Sequence, residues 1–129
     1  MSNVDELLED IKTTVRMIQD EQPALDLDSY QTWALSKAIY PEPSGLYYCA
    51  LKLNGEAGEV AEKIGKSLRG DNIPNLDYEI AKELGDVLWY VANLAKIVGY
   101  DLSDVARINI DKLEDRSDRD VLQGEGDNR

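Results

Sequence analysis

Two pairs of acidic residues have the types and the spacing that could do chemistry in this sequence. Glu56 and Glu59 are three residues apart, and so are Glu83 and Asp86. In an α-helix, residues three apart lie on adjacent turns of one face, so both carboxylates of a pair can reach one ion. Carboxylate oxygen is the ligand that Mg²⁺ prefers, with Mn²⁺ as a second candidate. The spacing indicates a site for such an ion, although similar pairs also occur on ordinary solvated helix faces.

The residue types that are absent narrow the possible chemistry. The 129 residues contain no histidine and one cysteine, Cys49. A Ser-His-Asp triad, a Cys-His nucleophile and a His-ligated zinc site are therefore excluded. Cys49 falls on an apolar stripe, so we expect it in the core, and a single thiol without an internal disulfide favours a reducing cytoplasm. Catalysis must then use carboxylates, lysine, tyrosine or a hard metal ion.

The overall charge restricts the partners that we expect. The sequence has 26 acidic and 14 basic residues, which gives a net charge of −12. This charge argues against a nucleic acid as partner, since proteins that bind one usually present a basic surface. No apolar run reaches the roughly 18–20 residues of a membrane span, and the acidic start shows no signal peptide. We therefore expect a cytoplasmic protein without a nucleic-acid or membrane partner.

The elements that must position the acids read as helices throughout. Periodic apolar residues predict five helices and no strands, at about 3–21, 28–39, 45–69, 76–98 and 102–116. The predicted N-caps are Asp28, Ser44 and Asp101. Gly70 and Gly99 are expected to end the third and fourth helices. The prediction is an all-α, four-helix-bundle-type fold with an N-terminal helical extension (1–24), a main domain (25–120) and a Gly-rich polar tail (121–129).

The acidic pairs border the apolar stripes of the third and fourth helices. The first stripe comprises Leu46, Ala50, Leu53, Ala57, Val60, Ile64 and Leu68, and the second comprises Ile80, Leu84, Val87, Val91, Leu94 and Val98. If these stripes pack together at about 8–10 Å, the four carboxylates meet. Their mutual repulsion would raise their pKa values unless a cation neutralised them. Trp89 lies opposite the second stripe, so we expect it to be exposed as a contact surface.

Two sequence segments resemble a known enzyme family. Residues 53–63 (LNGEAGEVAEK) and 82–90 (KELGDVLWY) are similar to the E-x-x-E and E-x-x-D elements of the all-α, MazG-like nucleoside triphosphate pyrophosphohydrolases. The resemblance extends from about Tyr30 to the C-terminus. It includes residues 109–116, which are similar to an N-x-x-K-x-x-x-R stretch of many relatives.

This resemblance implies hydrolysis of a (deoxy)nucleoside triphosphate between its α and β phosphates, giving the monophosphate and pyrophosphate. It implies that Mg²⁺ is held by Glu56, Glu59, Glu83 and Asp86, which are then both metal ligands and catalytic residues. Glu59 is one candidate for orienting or deprotonating the attacking water, but the sequence does not assign that role. The resemblance also implies a homodimer or homotetramer, with sites shared between chains as one arrangement.

The candidate substrate-binding residues are the following: Lys63, Tyr90, Asn109, Lys112, Arg116 and Trp33. The cations suit phosphates, and the aromatic residues, with Tyr40 as a further candidate, suit the sugar or the base. Each also has a structural interpretation. For example, Lys63 can simply pair with Glu59, and Tyr90 can pack in the core.

The sequence leaves several functions open beside the general pyrophosphohydrolase. A phosphoribosyl-ATP pyrophosphatase and a dUTP or dCTP specialist would share the fold and the acids. From another class, a non-catalytic helical interaction module would carry the same acids as solvated side chains. The three enzymes would differ in their base pockets. Metal binding would distinguish all three from the interaction module.

Overall fold

The fold is entirely helical in the part of the chain that the computed structural model describes, residues 3–20 and 24–126. It contains α1 (Asn3–Asp20), α2 (Leu27–Ser36), α3 (Gly45–Leu68), α4 (Leu76–Ile97) and α5 (Leu102–Asp118), with a 3₁₀ turn (Glu42–Ser44) before α3. The all-α prediction is confirmed, and every predicted helix appears with bounds within about three residues. None of these helices is long and apolar enough to cross a membrane, within the described ranges.

The helix ends follow local signals in part. Gly70 and Gly99 have φ values of 102° and 92°, the left-handed conformation that ends α3 and α4 as predicted. Asp101 precedes α5, and its N–H donates to the carboxylate of Asp104 at 3.1 Å. Ser44 is the N-cap residue of α3 as predicted, although its side chain makes no cap hydrogen bond.

The prediction that Asp28 caps α2 was wrong. Asp26 is the N-cap, and its carboxylate accepts the N–H of Ser29 at 2.7 Å. Asp28 instead accepts the N–H and the hydroxyl of Ser103, at 2.9 and 2.6 Å. Its carboxylate thus joins the first turn of α2 to the first turn of α5.

The core lies between α2, the C-terminal half of α4 and the start of α5. Its buried members are Ala34, Ala92, Ala95 and Leu102, with Tyr30, Trp89, Val91 and Val105 packed against them. Trp89 is therefore partly buried against the core, and the prediction that it forms an exposed contact surface was wrong. An angular count on one helix could not show that α2 covers this side of α4.

α3 and α4 form an antiparallel hairpin, as shown by contacts that pair Lys63 with Glu79 near the turn and Tyr48 with Tyr90 farther from it. Their acidic flanks face each other, so Glu56 is only 9% exposed. The residues of the two predicted core stripes are half-buried or exposed, and Val91 of the second stripe packs against the core. No residue of either stripe is fully buried, and Leu84 is 52% exposed. The prediction that these stripes form the core of a single chain was therefore wrong for most of their residues.

α1 is separate from this arrangement. Among the described residues it makes no helix–helix contact, and its apolar residues Val4, Leu7 and Ile11 are all at least half exposed. The observed α1 confirms the predicted helix. Its apolar side packs against no other described helix of the chain.

Candidate active site

Three of the four predicted acids meet between α3 and α4. One carboxylate oxygen from each of Glu56, Glu59 and Glu83 lies within 4.8 Å of the others. The i, i+3 spacing puts the first two on one face of α3, and the antiparallel α4 brings Glu83 opposite them. The donor set consists of carboxylate oxygen alone, which fits a hard divalent cation such as Mg²⁺.

The charges of this cluster are only partly balanced by lysines. Lys63 Nζ contacts Glu83 at 2.8 Å and Glu79 at 3.2 Å, so it pairs with α4 and not with Glu59. Lys52 Nζ lies 3.4 Å from Glu56. The hydrogen bond from Lys63 lowers the pKa of Glu83. The negative charges of Glu56 and Glu83 raise the pKa of Glu59, which remains the least neutralised acid.

A cavity of about 470 Å³ adjoins the acids. It is lined by Tyr40, Tyr48, Trp89 and Tyr90 together with Glu56 and Asp86. Asp86 lies outside the three-oxygen cluster and faces this cavity one turn along α4 from Glu83. Glu56 belongs to both, and it therefore connects the cluster to the cavity. The volume and the flat aromatic walls suit a planar ring with charged groups that extend toward the acids.

The aromatic walls also carry hydroxyl groups. The rings of Tyr40 and Tyr48 stack at 5.8 Å, and those of Trp89 and Tyr90 meet edge to face at 4.9 Å. Burial, followed by the charge of Tyr48, raises the pKa of Tyr90 to about 12, so its phenol is neutral near pH 7. The cavity thus offers stacking surfaces together with hydroxyl donors. Sequence reasoning proposed Tyr90 and Tyr40 but missed Tyr48 and Trp89 as cavity residues.

The remaining predicted substrate residues lie elsewhere in the chain. Trp33 is 52% exposed and packs beside Tyr30 at 5.9 Å. Asn109, Lys112 and Arg116 are on α5, whose helix contacts are with α2 and α4 among the described elements. Arg116 is 4% exposed, and its Nη2 donates to the carbonyl of Gly126 at 3.4 Å. None of these four residues lines the cavity.

Comparison with known proteins agrees with the geometry. A family model described as the MazG nucleotide pyrophosphohydrolase domain matches residues 48–120. The Gene 37 protein of Mycobacterium phage L5 is 45% identical over 115 residues, which cover 81% of this chain and all of that protein. No solved structure matches the chain.

The chain therefore belongs to the MazG nucleotide pyrophosphohydrolase family. The matched range includes almost all of α3, the whole of α4 and α5, and all four predicted acids. Membership supports nucleotide pyrophosphohydrolase activity in general, and enzymes of this family generally use divalent metals. The name of the phage protein states no activity.

Proposed function

We propose that this protein hydrolyses a (deoxy)nucleoside triphosphate between the α and β phosphates, with Mg²⁺, to the monophosphate and pyrophosphate. The observation that carries the proposal is the cluster of Glu56, Glu59 and Glu83 beside an aromatic cavity that shares Glu56. The acids suit the metal and the phosphates, and the cavity suits the base. A nucleotide joins a base to a phosphate chain, so one molecule could occupy both the cavity and the acidic cluster.

The acids of the site would have two roles, binding the metal ion and accepting a proton. A bound divalent ion would neutralise phosphate charge and lower the pKa of a water molecule. Glu56, Glu59 and Glu83 would hold that ion, with Asp86 at the cavity side. Glu59 is the exposed acid of the three, so it is the one that an attacking water can reach and that could orient or deprotonate it. Phosphoryl transfer needs positioning and charge neutralisation more than a covalent nucleophile.

A panel of canonical and modified nucleoside triphosphates tests this function. Each substrate is incubated with Mg²⁺ or with EDTA, and pyrophosphate and orthophosphate are measured separately. We expect pyrophosphate from one or more deoxynucleoside triphosphates with Mg²⁺ only. Turnover restricted to dUTP, dCTP or phosphoribosyl-ATP would identify one of the specialised enzymes. A folded protein without turnover of any substrate would favour the non-catalytic helical module.

The repulsion at Glu59 gives a prediction for stability and metal binding together. Because its pKa is raised in the folded state, folding gains stability when Glu59 is protonated and loses it as pH rises through that pKa. Glu59→Gln mimics the protonated form. We expect a higher melting temperature without metal at neutral pH, and Mg²⁺ binding weakened at least tenfold.

Thermal unfolding with and without Mg²⁺ measures both effects of Glu59→Gln. Lowering the pH of the wild-type protein toward the pKa of Glu59 should weaken Mg²⁺ binding in the same direction, because protons and metal compete. A variant that is less stable without metal, or that binds Mg²⁺ as the wild type does, would contradict this role.

We also propose that the chain forms a homodimer through the outward apolar face of the α3–α4 hairpin. Leu84 and Leu88 lie one turn apart on α4 and are 52% and 39% exposed, and Ile64 on α3 is 49% exposed. Monomeric soluble proteins rarely expose contiguous apolar patches of large area. A second copy of the same hairpin would cover both stripes.

Leu84→Glu tests the dimer, because a buried carboxylate without a partner opposes association. We expect the dissociation constant to rise at least tenfold by analytical ultracentrifugation while the helical content is kept. Asn72→Glu is the control, since it adds the same charge at an exposed loop position. A wild-type protein that stays monomeric at high concentration would disprove the proposal.

A further inference from the structure

A part-buried hydrogen-bond network fixes the ring of Tyr40. Its phenol donates to Oδ1 of Asn93 at 2.7 Å, and Nδ2 of Asn93 donates to the carbonyl of Trp89 at 2.9 Å. Asn93 is fully buried. A carbonyl oxygen can only accept, so the amide nitrogen must face Trp89, which leaves Oδ1 for Tyr40. The network therefore has one arrangement.

The start of α3 supports the same ring from another side. A Cβ atom on Gly45 would lie 3.0 Å from Cε2 and 3.3 Å from Cδ2 of Tyr40. These distances are shorter than ordinary van der Waals contacts between carbon atoms. The absence of a side chain at Gly45 is therefore what lets the Tyr40 ring lie against the helix.

Tyr40 stands between two cavities. On one side it lines the cavity beside the acids, with its ring stacked on Tyr48 at 5.8 Å and edge-on to Trp89 at 6.3 Å. It also lines a second cavity of about 490 Å³, whose other walls include Leu35, Gly45 and Ile97. Removing or shifting the ring would join the two spaces or change the width of the first.

We infer that Tyr40, held by Asn93 and seated on Gly45, is the positioning residue that sets the width of the base cavity and thereby the choice between small and large nucleobases. The inference rests on the proposed function, because it assigns the aromatic cavity to the base of the triphosphate. Tyr40 touches none of the acids through a hydrogen bond, so its contribution falls on base binding. Gly45 and Asn93 act through Tyr40 and need not contact the substrate.

Three substitutions test the inference without removing any acid. Tyr40→Phe keeps the ring but deletes the hydrogen bond to Asn93, and its control is Tyr47→Phe, because Tyr47 is 71% exposed. Gly45→Ala pushes the ring, and its control is Gly65→Ala on the same helix, where a Cβ meets nothing within 4 Å. Tyr40→Ala removes the ring that separates the two cavities. Circular dichroism first establishes that each variant is folded.

The first readout is the binding of 2′-deoxynucleosides in the presence of EDTA. It is measured by an NMR titration that monitors the tryptophan indole signals. These probes carry no phosphate, so they report the base cavity apart from the metal cluster. We expect Tyr40→Phe and Gly45→Ala to weaken binding at least fivefold and the two controls to match the wild type. No nucleoside binding by the wild type, or equal binding by all variants, would overturn the inference.

The second readout is the ratio of kcat/KM for purine and pyrimidine deoxynucleoside triphosphates. Tyr40→Ala should shift this ratio at least tenfold toward purines, and the loss in Tyr40→Phe should fall on KM more than on kcat. A wild type that releases pyrophosphate while all variants keep its ratio and KM within twofold would overturn the inference alone. A wild type that binds nucleosides but cleaves no triphosphate would overturn the proposed function instead.

Discussion

Replacing Glu56 by glutamine should slow pyrophosphate release by roughly a thousandfold, the upper range for losing one preorganised group that stabilises developing charge. Glu56 is 9% exposed, contributes an oxygen to the three-acid cluster and lines the adjoining cavity. Glutamine keeps the shape but removes the negative charge that binds a divalent cation. Its partner Lys52, at 3.4 Å, would then add an unbalanced positive charge beside the site. Steady-state rates at saturating Mg²⁺ measure the loss.

Glu62→Gln provides the matched control for Glu56→Gln. Glu62 lies on the same helix, but its side chain is 60% exposed and pairs with Lys66 at 2.8 Å on the outer face. Surface pairs of this kind contribute little, so we expect the control to keep its rate within twofold. A Glu56→Gln variant that keeps more than a tenth of the wild-type rate would remove this residue from the catalytic site.

Gln31→Leu should lower the free energy of unfolding by about 2–4 kcal/mol, a large share of a typical domain's stability. Gln31 is 3% exposed. Its Nε2 donates to the carbonyls of Ala92 and Tyr100 at 3.0 and 3.2 Å, and its Oε1 accepts the N–H of Leu102 at 3.0 Å. Leucine would fill the space but leave the first N–H of α5 buried without that acceptor.

Urea unfolding followed by circular dichroism measures this loss as a lower midpoint with an unchanged slope. Thr32→Val is the control, because Thr32 is the next residue of α2, is exposed and bonds only within its own helix. We expect that control to stay within about 0.5 kcal/mol of the wild type. Equal midpoints for Gln31→Leu and the wild type would show that these three hydrogen bonds do not stabilise the fold.

The helices were predictable because their signals are local. Apolar periodicity placed all five, and the left-handed Gly70 and Gly99 ended α3 and α4. The cap of α2 was not predictable, since Asp26 and Asp28 are equally good cap residues in isolation. Ser103, distant in sequence, donates a hydrogen bond to the carboxylate of Asp28. Asp26 therefore caps α2 instead, by accepting the N–H of Ser29.

The faces of α3 and α4 were harder to predict, because an apolar stripe normally marks the side that packs within the chain. Here the acidic flank packs inward, since Lys63 pairs with Glu83 across the hairpin and Lys52 lies near Glu56. Apolar residues such as Leu84 and Ile64 are then left about half exposed, which is the basis of the proposed dimer. Trp89 was assigned to the wrong side because the sequence of α4 alone does not show that α2 packs against it.

The spacing predicted that four acids meet, and three of them do, whereas Asp86 lies beside the cavity. The cavity itself depends on tertiary contacts. The i, i+3 pairs brought Glu56, Glu59 and Glu83 together once the helices ran antiparallel. Tyr40 reaches the cavity from the connection before α3, and its position depends on a hydrogen bond to a residue 53 positions away. No local pattern reports such a contact.

The most direct test of the central claim is ³¹P NMR of the products formed from one accepted deoxynucleoside triphosphate with Mg²⁺. The account predicts equal amounts of nucleoside monophosphate and pyrophosphate, from the first turnover onward, and the same two products formed roughly a thousandfold more slowly with Glu56→Gln. Formation of the diphosphate and orthophosphate would mean cleavage between the β and γ phosphates, and that result would contradict the account.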